Sequence, residues 1–205
     1  MVQSRLLLLD QDSSLPSDYL TSLLERIRKV SPNESVVAIA PRIFQKTTPI
    51  SPAKTFYGGI MRPIKFSHEG IFNSKIFAIG SCSTIRVSFL QMINGFNEKF
   101  WLDSLDRWLY HTIEMHGKFV YVFNSVVQHQ LSIIDFDRLQ NPNRYSNIME
   151  YETLFMRSYK TEIENYIYYL RLINRGIYLW IFTKDKAYSK LTFKHLLGLI
   201  LKNHS

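Results

Sequence analysis

The sequence has one cysteine in 205 residues and lacks any hydrophobic run long enough to cross a bilayer. A lone Cys82 can form neither a disulfide framework within the chain nor a zinc site built on cysteines. A membrane-spanning helix needs about 20 consecutive apolar residues. The longest apolar runs here are much shorter: GIYLWIF at 176–182 and HLLGLIL at 195–201. We therefore expect a cytoplasmic protein without a spanning helix.

Acidic residues are also scarce, with 17 Asp and Glu against 25 Lys and Arg, which gives a net charge of +8. The excess is concentrated in residues 166–205, which contain seven basic side chains and one acid. A basic segment rich in Tyr, Trp and Leu fits either nucleic acid or an anionic membrane surface. No helix-turn-helix, RNA-binding or zinc motif accompanies it, so we expect no nucleic-acid partner.

The hydrophobic pattern of the first 40 residues predicts a strand, a helix and a second strand. Residues 5–9 form an apolar run without alternation, typical of a buried strand, and residues 36–40 repeat this pattern before Pro41. Ser17 is a suitable N-cap for the helix between them. The predicted apolar face of that helix comprises Tyr19, Leu20, Leu23, Leu24 and Ile27. This order is typical of a parallel α/β sheet.

The rest of the chain divides into a mixed part and a helical part. Residues 41–75 contain four of the seven prolines and predict loops with one hairpin. Further strands are predicted at 75–79, 118–123 and 126–129. Helices are predicted at 83–93 and 103–116. The region from 147 onward is also predicted to be helical, with breaks near Gly176 and at 183–184. We predict one α/β domain over 1–145 and a helical extension over 146–205.

Two carboxylates follow the first predicted strand, in LLLLDQDSS. Asp10 and Asp12 project to one side at the carboxyl end of the strand, where open α/β sheets bind ligands. Hard oxygen ligands suit Mg²⁺ or Mn²⁺. His129, at the end of a later strand, could complete such a site. The alternatives are that both aspartates form a turn and that the histidine is structural.

A second acidic pair opens the predicted helix in FNEKFWLDSLDRWL. Asp103 and Asp106 are three residues apart and therefore lie near one face of the helix. Acids favour the first helical turn, so capping alone explains them. The alternative is that one carboxylate acts as a general base on a hydroxyl group.

Taken in order, five segments resemble glycosyltransferase family 2, which has the GT-A fold, and most closely its bacterial rhamnosyltransferase-like branch. The segments are LLLLDQDSSLPSDYL, VVAIAPRIF, GSCSTIRVSFLQMINGFNEKF, WLDSLDRWL and VFNSVVQHQL. Their order and spacing hold from about residue 5 to 131. The resemblance implies a Rossmann-like mixed α/β sheet and inverting, metal-dependent transfer from dTDP-rhamnose or a UDP-sugar to a surface polysaccharide or lipid-linked glycan.

The resemblance also implies a role for each matching residue. Asp106 would be the catalytic base, and Asp103, Ser81 and Cys82 would lie on the acceptor side. Mn²⁺ or Mg²⁺ and the donor diphosphate would be held by the Asp-x-Asp motif together with the later histidine, namely Asp10, Asp12 and His129.

Departures from the family pattern concern the acceptor side and the start of the domain. Cys82 replaces a glycine that serves an unusual φ or a close approach, so its side chain is expected to crowd the acceptor pocket. Trp108 and Thr112 replace an acid and an arginine.

The family places a nucleotide-binding half before the Asp-x-Asp strand. We therefore expect this chain to be the C-terminal part of such a domain, with that half supplied in trans, or to be a catalytically inactive remnant or subunit.

The basic C-terminal region leaves two interpretations open. One helical stripe carries Tyr166, Tyr169, Leu170, Ile173, Ile177 and Trp180. Lys186, Lys190 and Lys194 then recur every four residues. Either the stripe packs on the rest of the protein, or it forms an amphipathic contact with the inner face of the cell membrane, with the lysines on anionic headgroups.

Overall fold

The computed structural model describes residues 4–10, 14–64, 69–72, 75–100, 104–128 and 141–202. The chain divides into two compact units. One comprises Met1–Phe56 and Met61–Gln130, and the other comprises Tyr57–Ile60 and Leu131–Ser205. The first unit is α/β with a mixed sheet, which confirms the predicted fold class at that level.

The first unit alternates short strands with three helices. The strands are β1 (Arg5–Leu7), β2 (Val36–Gln45), β3 (Thr48–Ser51), β4 (Ala53–Phe56), β5 (Ile60–Pro63), β6 (Gly70–Phe72), β7 (Ile76–Phe77), β8 (Thr84–Arg86) and β9 (Phe119–Gln128). The helices are α1 (Tyr19–Val30), α2 (Val87–Met92) and α3 (Leu105–Met115). As predicted, α3 ends just before Gly117, which has φ 61° and so favours glycine.

The main sheet has the order β1-β8-β2-β9-β6, with β3 added to β2. Ile85 of β8 pairs with Leu6 on one side and with Ala38 on the other, antiparallel in both cases. β1 and β2 therefore run in the same direction, and β9 is parallel to β2. The carboxyl ends of β1, β2 and β9 consequently meet at one edge, together with the residues that precede β8.

The core of this unit lies between α1 and the sheet. α1 buries Tyr19, Leu23, Ile27 and Val30 against the strands, in a cluster that includes Ile39 and Phe123. The predicted helix face was partly wrong, because Leu20 and Leu24 are 54% and 53% exposed. The predicted cap was also wrong, since Asp18 is the N-cap and forms no side-chain capping bond.

Several predicted strands and loops differ from those observed. β1 is only partly buried, because it is an edge strand of the main sheet. β2 continues past Pro41, where its pairing with β9 is irregular between Ala40 and Arg42. This irregularity accommodates a residue without an N–H. The predicted loop region contains β3, β4, β5 and β6. The predicted helix at 83–93 begins with β8, and the two predicted strands after 117 are one strand, β9.

The second unit contains three helices: α4 (Pro142–Tyr159), α5 (Glu162–Phe182) and α6 (Ala187–Lys202). The predicted break near 183 is confirmed, but the predicted break at Gly176 is wrong. Gly176 lies inside α5 against Phe193 of α6, where a Cβ would approach Phe193 Cζ to 2.8 Å. The interruption before α5 is marked instead by a capping box between Thr161 and Glu164.

Candidate functional site

The candidate site lies in the first unit, at the edge where β1 and β2 end and β8 begins. Ligands of open α/β sheets bind outside the carboxyl ends of the parallel strands. The loop after β1 supplies Asp10, and a turn at residues 80–83, which we call the 80–83 turn, enters β8 beside it. The structure therefore brings together residues about 70 positions apart in the sequence.

Backbone hydrogen bonds hold the 80–83 turn against the end of β1. Cys82 N donates to Leu8 O at 2.7 Å, and Leu8 N donates to Ser83 O at 2.9 Å. Two residues after Leu8, Asp10 N donates to the side-chain oxygen Ser81 Oγ at 3.4 Å. This ladder continues the β1·β8 pairing into the loops, so the position of Asp10 depends on the conformation of the turn.

Cys82 adopts the left-handed conformation, with φ 64°, in which a glycine is favoured. Its side chain is fully buried in the core cluster, and the Tyr19 hydroxyl donates to its carbonyl oxygen. Burial raises the pKa of Tyr19, which keeps this phenol a donor. The Cys82 side chain thus belongs to the core, and the backbone at this position has a positive φ that favours glycine.

The Asp106 carboxylate contacts the other end of the same turn. Asp106 lies in the first turn of α3, and its Oδ2 accepts a hydrogen bond from Gly80 N at 2.8 Å. A Cβ at Gly80 would lie 2.3 Å from Asp106 Oδ1, so only glycine permits this approach. Asp106 is half-buried. Asp10, Ser81, Cys82 and Asp106, all predicted from the sequence, therefore meet around one turn.

Tyr110 is a residue of this region that the sequence analysis missed. It lies one turn after Asp106 on α3, fully packed, and its hydroxyl donates to Ser83 Oγ at 3.3 Å. Burial raises the pKa of Tyr110, and the nearby charge of Asp106 adds to this effect against the opposing hydrogen bond to Ser83. Its spacing of four residues from Asp106 is the signal that could have identified it.

Three predicted site residues, Asp12, Asp103 and His129, lie outside the described residues. Ser14 forms an antiparallel bridge with Gln128, the last residue of β9. Among the described residues, no group of three His, Cys, Asp or Glu side chains is arranged to hold a metal ion. The described part of the site supplies one exposed carboxylate, that of Asp10, as a potential metal ligand.

The second unit carries the predicted membrane-surface residues. Lys186 donates to the carbonyl oxygens of Trp180 and Thr183 and so caps the C-terminus of α5. Lys190 and Lys194 are exposed on α6. No helix among the described residues is long and apolar enough to cross a membrane.

The apolar stripe predicted on α5 faces mainly outward. The residues buried from α5 are Tyr168, Leu172, Gly176 and Leu179. Large apolar side chains also cover the solvent-facing side of α5. The exposed ones are Ile163, Tyr166, Leu170, Ile177, Tyr178, Trp180, Ile181 and Phe182. α5 is therefore apolar around most of its circumference, which is unusual for a helix that faces water.

No protein-family model matches the chain, and comparison with curated proteins gives no match either.

Proposed function

We propose that the chain is a glycosyltransferase of family 2, with a GT-A fold and an inverting mechanism. The observation that carries this proposal is the meeting of Asp10 and Asp106 around the 80–83 turn, at the carboxyl edge of the parallel strands. A reaction that needs one carboxylate to hold a metal and a second to act as a base requires two carboxylates at one site.

In this proposal Asp106 is the catalytic base that accepts the proton of the acceptor hydroxyl. The hydrogen bond from Gly80 N orients the carboxylate. Ser81 and Asp103 would serve the acceptor side. The acceptor is a surface polysaccharide or a lipid-linked glycan, and its deprotonated hydroxyl attacks the anomeric carbon as the nucleoside diphosphate leaves.

Asp10, with Asp12 and His129, would hold Mn²⁺ or Mg²⁺ beside the diphosphate of dTDP-rhamnose or a UDP-sugar. The bound ion would neutralise the charge of the leaving diphosphate. The exposed carboxylate of Asp10 and the bridge between Ser14 and Gln128, which lie close in sequence to Asp12 and His129, are consistent with this assignment.

Thermal unfolding of the whole chain tests donor binding. A ligand that binds only the native state raises the unfolding midpoint. We expect a rise that requires both Mn²⁺ and UDP or dTDP and that is lost in Asp10→Asn and Asp12→Ala. Asp18→Asn, an exposed aspartate on the same segment, should retain the rise. An equal rise in all four proteins would contradict the assigned role of the motif.

The base is tested separately with Asp106→Asn. Asparagine can still accept the Gly80 hydrogen bond but cannot take up the acceptor proton, so this variant should keep the metal-dependent rise in the midpoint. We expect it to lose transfer of sugar to a lipid-linked acceptor, by a factor of about 100 or more. Transfer at the wild-type rate by Asp106→Asn would exclude Asp106 as the base.

A second candidate function is a non-catalytic subunit that joins a separate nucleotide-binding half. The outer edge of β1 forms no strand pairing with any described residue. Leu6 within β1 and Leu9 just after it are both exposed. Open edges and apolar side chains of this kind favour pairing with another strand. A monodisperse chain that transfers sugar alone would exclude this candidate.

The exposed apolar side of α5 supports a peripheral contact with an anionic membrane at the inner face of the cell membrane. Trp180, Ile181 and Phe182 would enter the interfacial region, while Lys190 and Lys194 meet the headgroups. The Lys186 ammonium group already donates to carbonyl oxygens at the end of α5. It would therefore add positive charge to this surface from a fixed position. Such a contact suits an enzyme with a lipid-linked acceptor.

A further inference from the structure

Two arginines converge on one backbone carbonyl at the sheet edge opposite the candidate site. Arg5 of β1 and Arg86 of β8 are cross-strand partners. Arg5 Nη2 donates to Val36 O at 3.0 Å, and Arg86 Nη2 donates to the same oxygen at 3.2 Å. Arg86 also donates to Asn33 O at 3.1 Å. Both guanidinium groups are therefore anchored to the loop that enters β2.

In the described part of the chain, no carboxylate is paired with either arginine. Neither Arg5 nor Arg86 forms an ion pair with any described residue, although Arg86 is only 3% exposed. The Nε atoms of both side chains are buried, and neither has a hydrogen-bond partner within the described part of the chain. Arg86 is buried and Arg5 is half-buried, and positive charge removed from water without compensation is destabilising, so a bound anion would stabilise this pair.

The pKa values of both guanidinium groups are lowered, as expected for positive groups that have no paired carboxylate among the described residues. Burial, and next the charge of Arg86, lower the pKa of Arg5 to about 10. Burial also lowers the pKa of Arg86, and the charge of Glu34 opposes this only in part. Bound negative charge would reverse both shifts.

A cavity of about 630 Å³ opens beside Arg86, a size typical of small-molecule sites. Among the described residues, its polar wall includes Arg86 and Lys118, with Glu34 as the one acid. Its apolar wall includes Val87, Phe89 and Met92. The wall therefore has a net positive charge, and Arg5, which shares the Val36 carbonyl with Arg86, adds a further positive charge close by. This arrangement suits an anion attached to an apolar body.

We propose that this cavity binds a small organic phosphate, with the phosphate at Arg86 and Lys118, and with the organic part against Val87, Phe89 and Met92. Guanidinium groups suit phosphate because their donors form a planar fork. The site lies at the start of β1 and the end of β8, whereas Asp10 and the 80–83 turn lie at the other ends of these strands. The proposal is therefore independent of the glycosyltransferase proposal.

Calorimetric titration of the whole chain with phenyl phosphate and with inorganic phosphate tests this site. The titrations are run at constant ionic strength with a chelator present, so that no divalent cation can support binding at Asp10. We expect phenyl phosphate to bind more tightly than inorganic phosphate, because only the former fills the apolar wall. Equal affinity for the two probes, or no heat from either, would overturn the proposal.

Two substitutions with opposite expected effects locate the binding. Lys118→Met should weaken binding of phenyl phosphate about threefold or more, and Glu34→Gln should tighten it by a similar factor, since one attractive and one repulsive charge are removed. Lys99→Met and Glu98→Gln make the same charge changes at exposed positions outside the cavity. If each variant behaves like its control, the cavity is not the site.

A third variant distinguishes this proposal from the glycosyltransferase proposal. Asp10→Asn alters only the opposite edge of the sheet, so it should lose the metal-dependent binding of nucleotide and leave the affinity for phenyl phosphate unchanged. A changed affinity for phenyl phosphate in this variant would mean that the phosphate occupies the Asp10 edge, and the proposal for the cavity beside Arg86 would fail.

Discussion

Gly80 N and Asp106 Oδ2 are joined by a hydrogen bond of 2.8 Å, and Gly80 has no room for a side chain at this contact. The bond connects the turn before β8 with the first turn of α3. The same turn is bonded to the end of β1 through Cys82 N and Leu8 O. A single turn therefore determines the relative positions of Asp10 and Asp106.

Gly80→Ala should displace the Asp106 side chain. The added Cβ would lie 2.3 Å from Oδ1, and overpacking of this kind costs about 1–3 kcal/mol. Because the clash is with the Asp106 carboxyl group, Asp106→Ala should remove most of the penalty. Urea unfolding of both single variants and the double variant measures this coupling. Strictly additive free energies of unfolding would show that the two residues do not share this contact.

Cys82 should tolerate glycine better than alanine. With φ 64°, any residue with a Cβ is strained by about 1–2 kcal/mol, and alanine keeps this strain while losing the buried sulfur. Glycine loses the sulfur as well but relieves the strain, at some entropic cost in the unfolded chain. We expect Cys82→Gly to exceed Cys82→Ala in free energy of unfolding by about 1 kcal/mol. The opposite order would rule out conformational strain as the dominant effect.

Removal of Arg175 should destabilise the helical unit. Arg175 Nη1 on α5 lies 3.1 Å from Glu152 Oε2 on α4, and the Glu152 side chain is 8% exposed. Breaking one partner of a buried pair costs about 3–5 kcal/mol. We expect Arg175→Met to lower the free energy of unfolding by about 3 kcal/mol. The double variant Glu152→Met, Arg175→Met should recover part of this loss. Denaturant unfolding is the measurement, with Glu150→Gln on the exposed side of α4 as the control.

His195 should make stability depend on pH near neutrality. Its Nε2 lies 2.8 Å from Thr153 Oγ1, and burial lowers its pKa despite the opposing charges of Glu150 and Glu152. The unfolded histidine has a pKa of about 6.5. As the pH falls below this value, the unfolded chain takes up a proton more readily than the folded chain, so the free energy of unfolding decreases.

The test compares melting temperatures between pH 7.5 and 5.5 for wild type, His195→Gln and His116→Gln. Wild type and His116→Gln, which alters an exposed histidine, should both melt at lower temperature as the pH falls. His195→Gln should show a smaller decrease. If His195→Gln and wild type have the same slope, protonation of His195 does not limit stability in this range.

The membrane contact predicts that substitutions on the exposed side of α5 weaken flotation with vesicles containing phosphatidylglycerol. Ile177→Ser with Ile181→Ser removes two exposed apolar side chains and should reduce the bound fraction. Lys190→Gln with Lys194→Gln should reduce it further on anionic vesicles, by about fivefold per lysine. Leu20→Ser with Leu24→Ser removes comparable exposed surface from α1 and should have no effect. Equal flotation of all proteins would count against a membrane surface on α5.

The local features of this protein could be predicted from its sequence because they depend on short-range chemistry. The strand–helix–strand order, the end of α3 before Gly117 and the interruption at 183 follow from hydrophobic period, from glycine and from breaks in the apolar pattern. The sequence also named Asp10, Ser81, Cys82 and Asp106, which the structure brings to one turn, and the roles assigned to them stay predictions.

Tertiary structure decided what those residues contact. The hydrophobic period of α1 could not show that Leu20 and Leu24 stay exposed while Val30 is buried, because the period gives an apolar stripe but not its partner. In the same way, only the insertion of β8 between β1 and β2 brings the 80–83 turn to Asp10. The sequence by itself determined the short-range elements and the identity of the side chains proposed for the site. Strand order and long-range packing, which depend on contacts between distant residues, determined that these side chains meet.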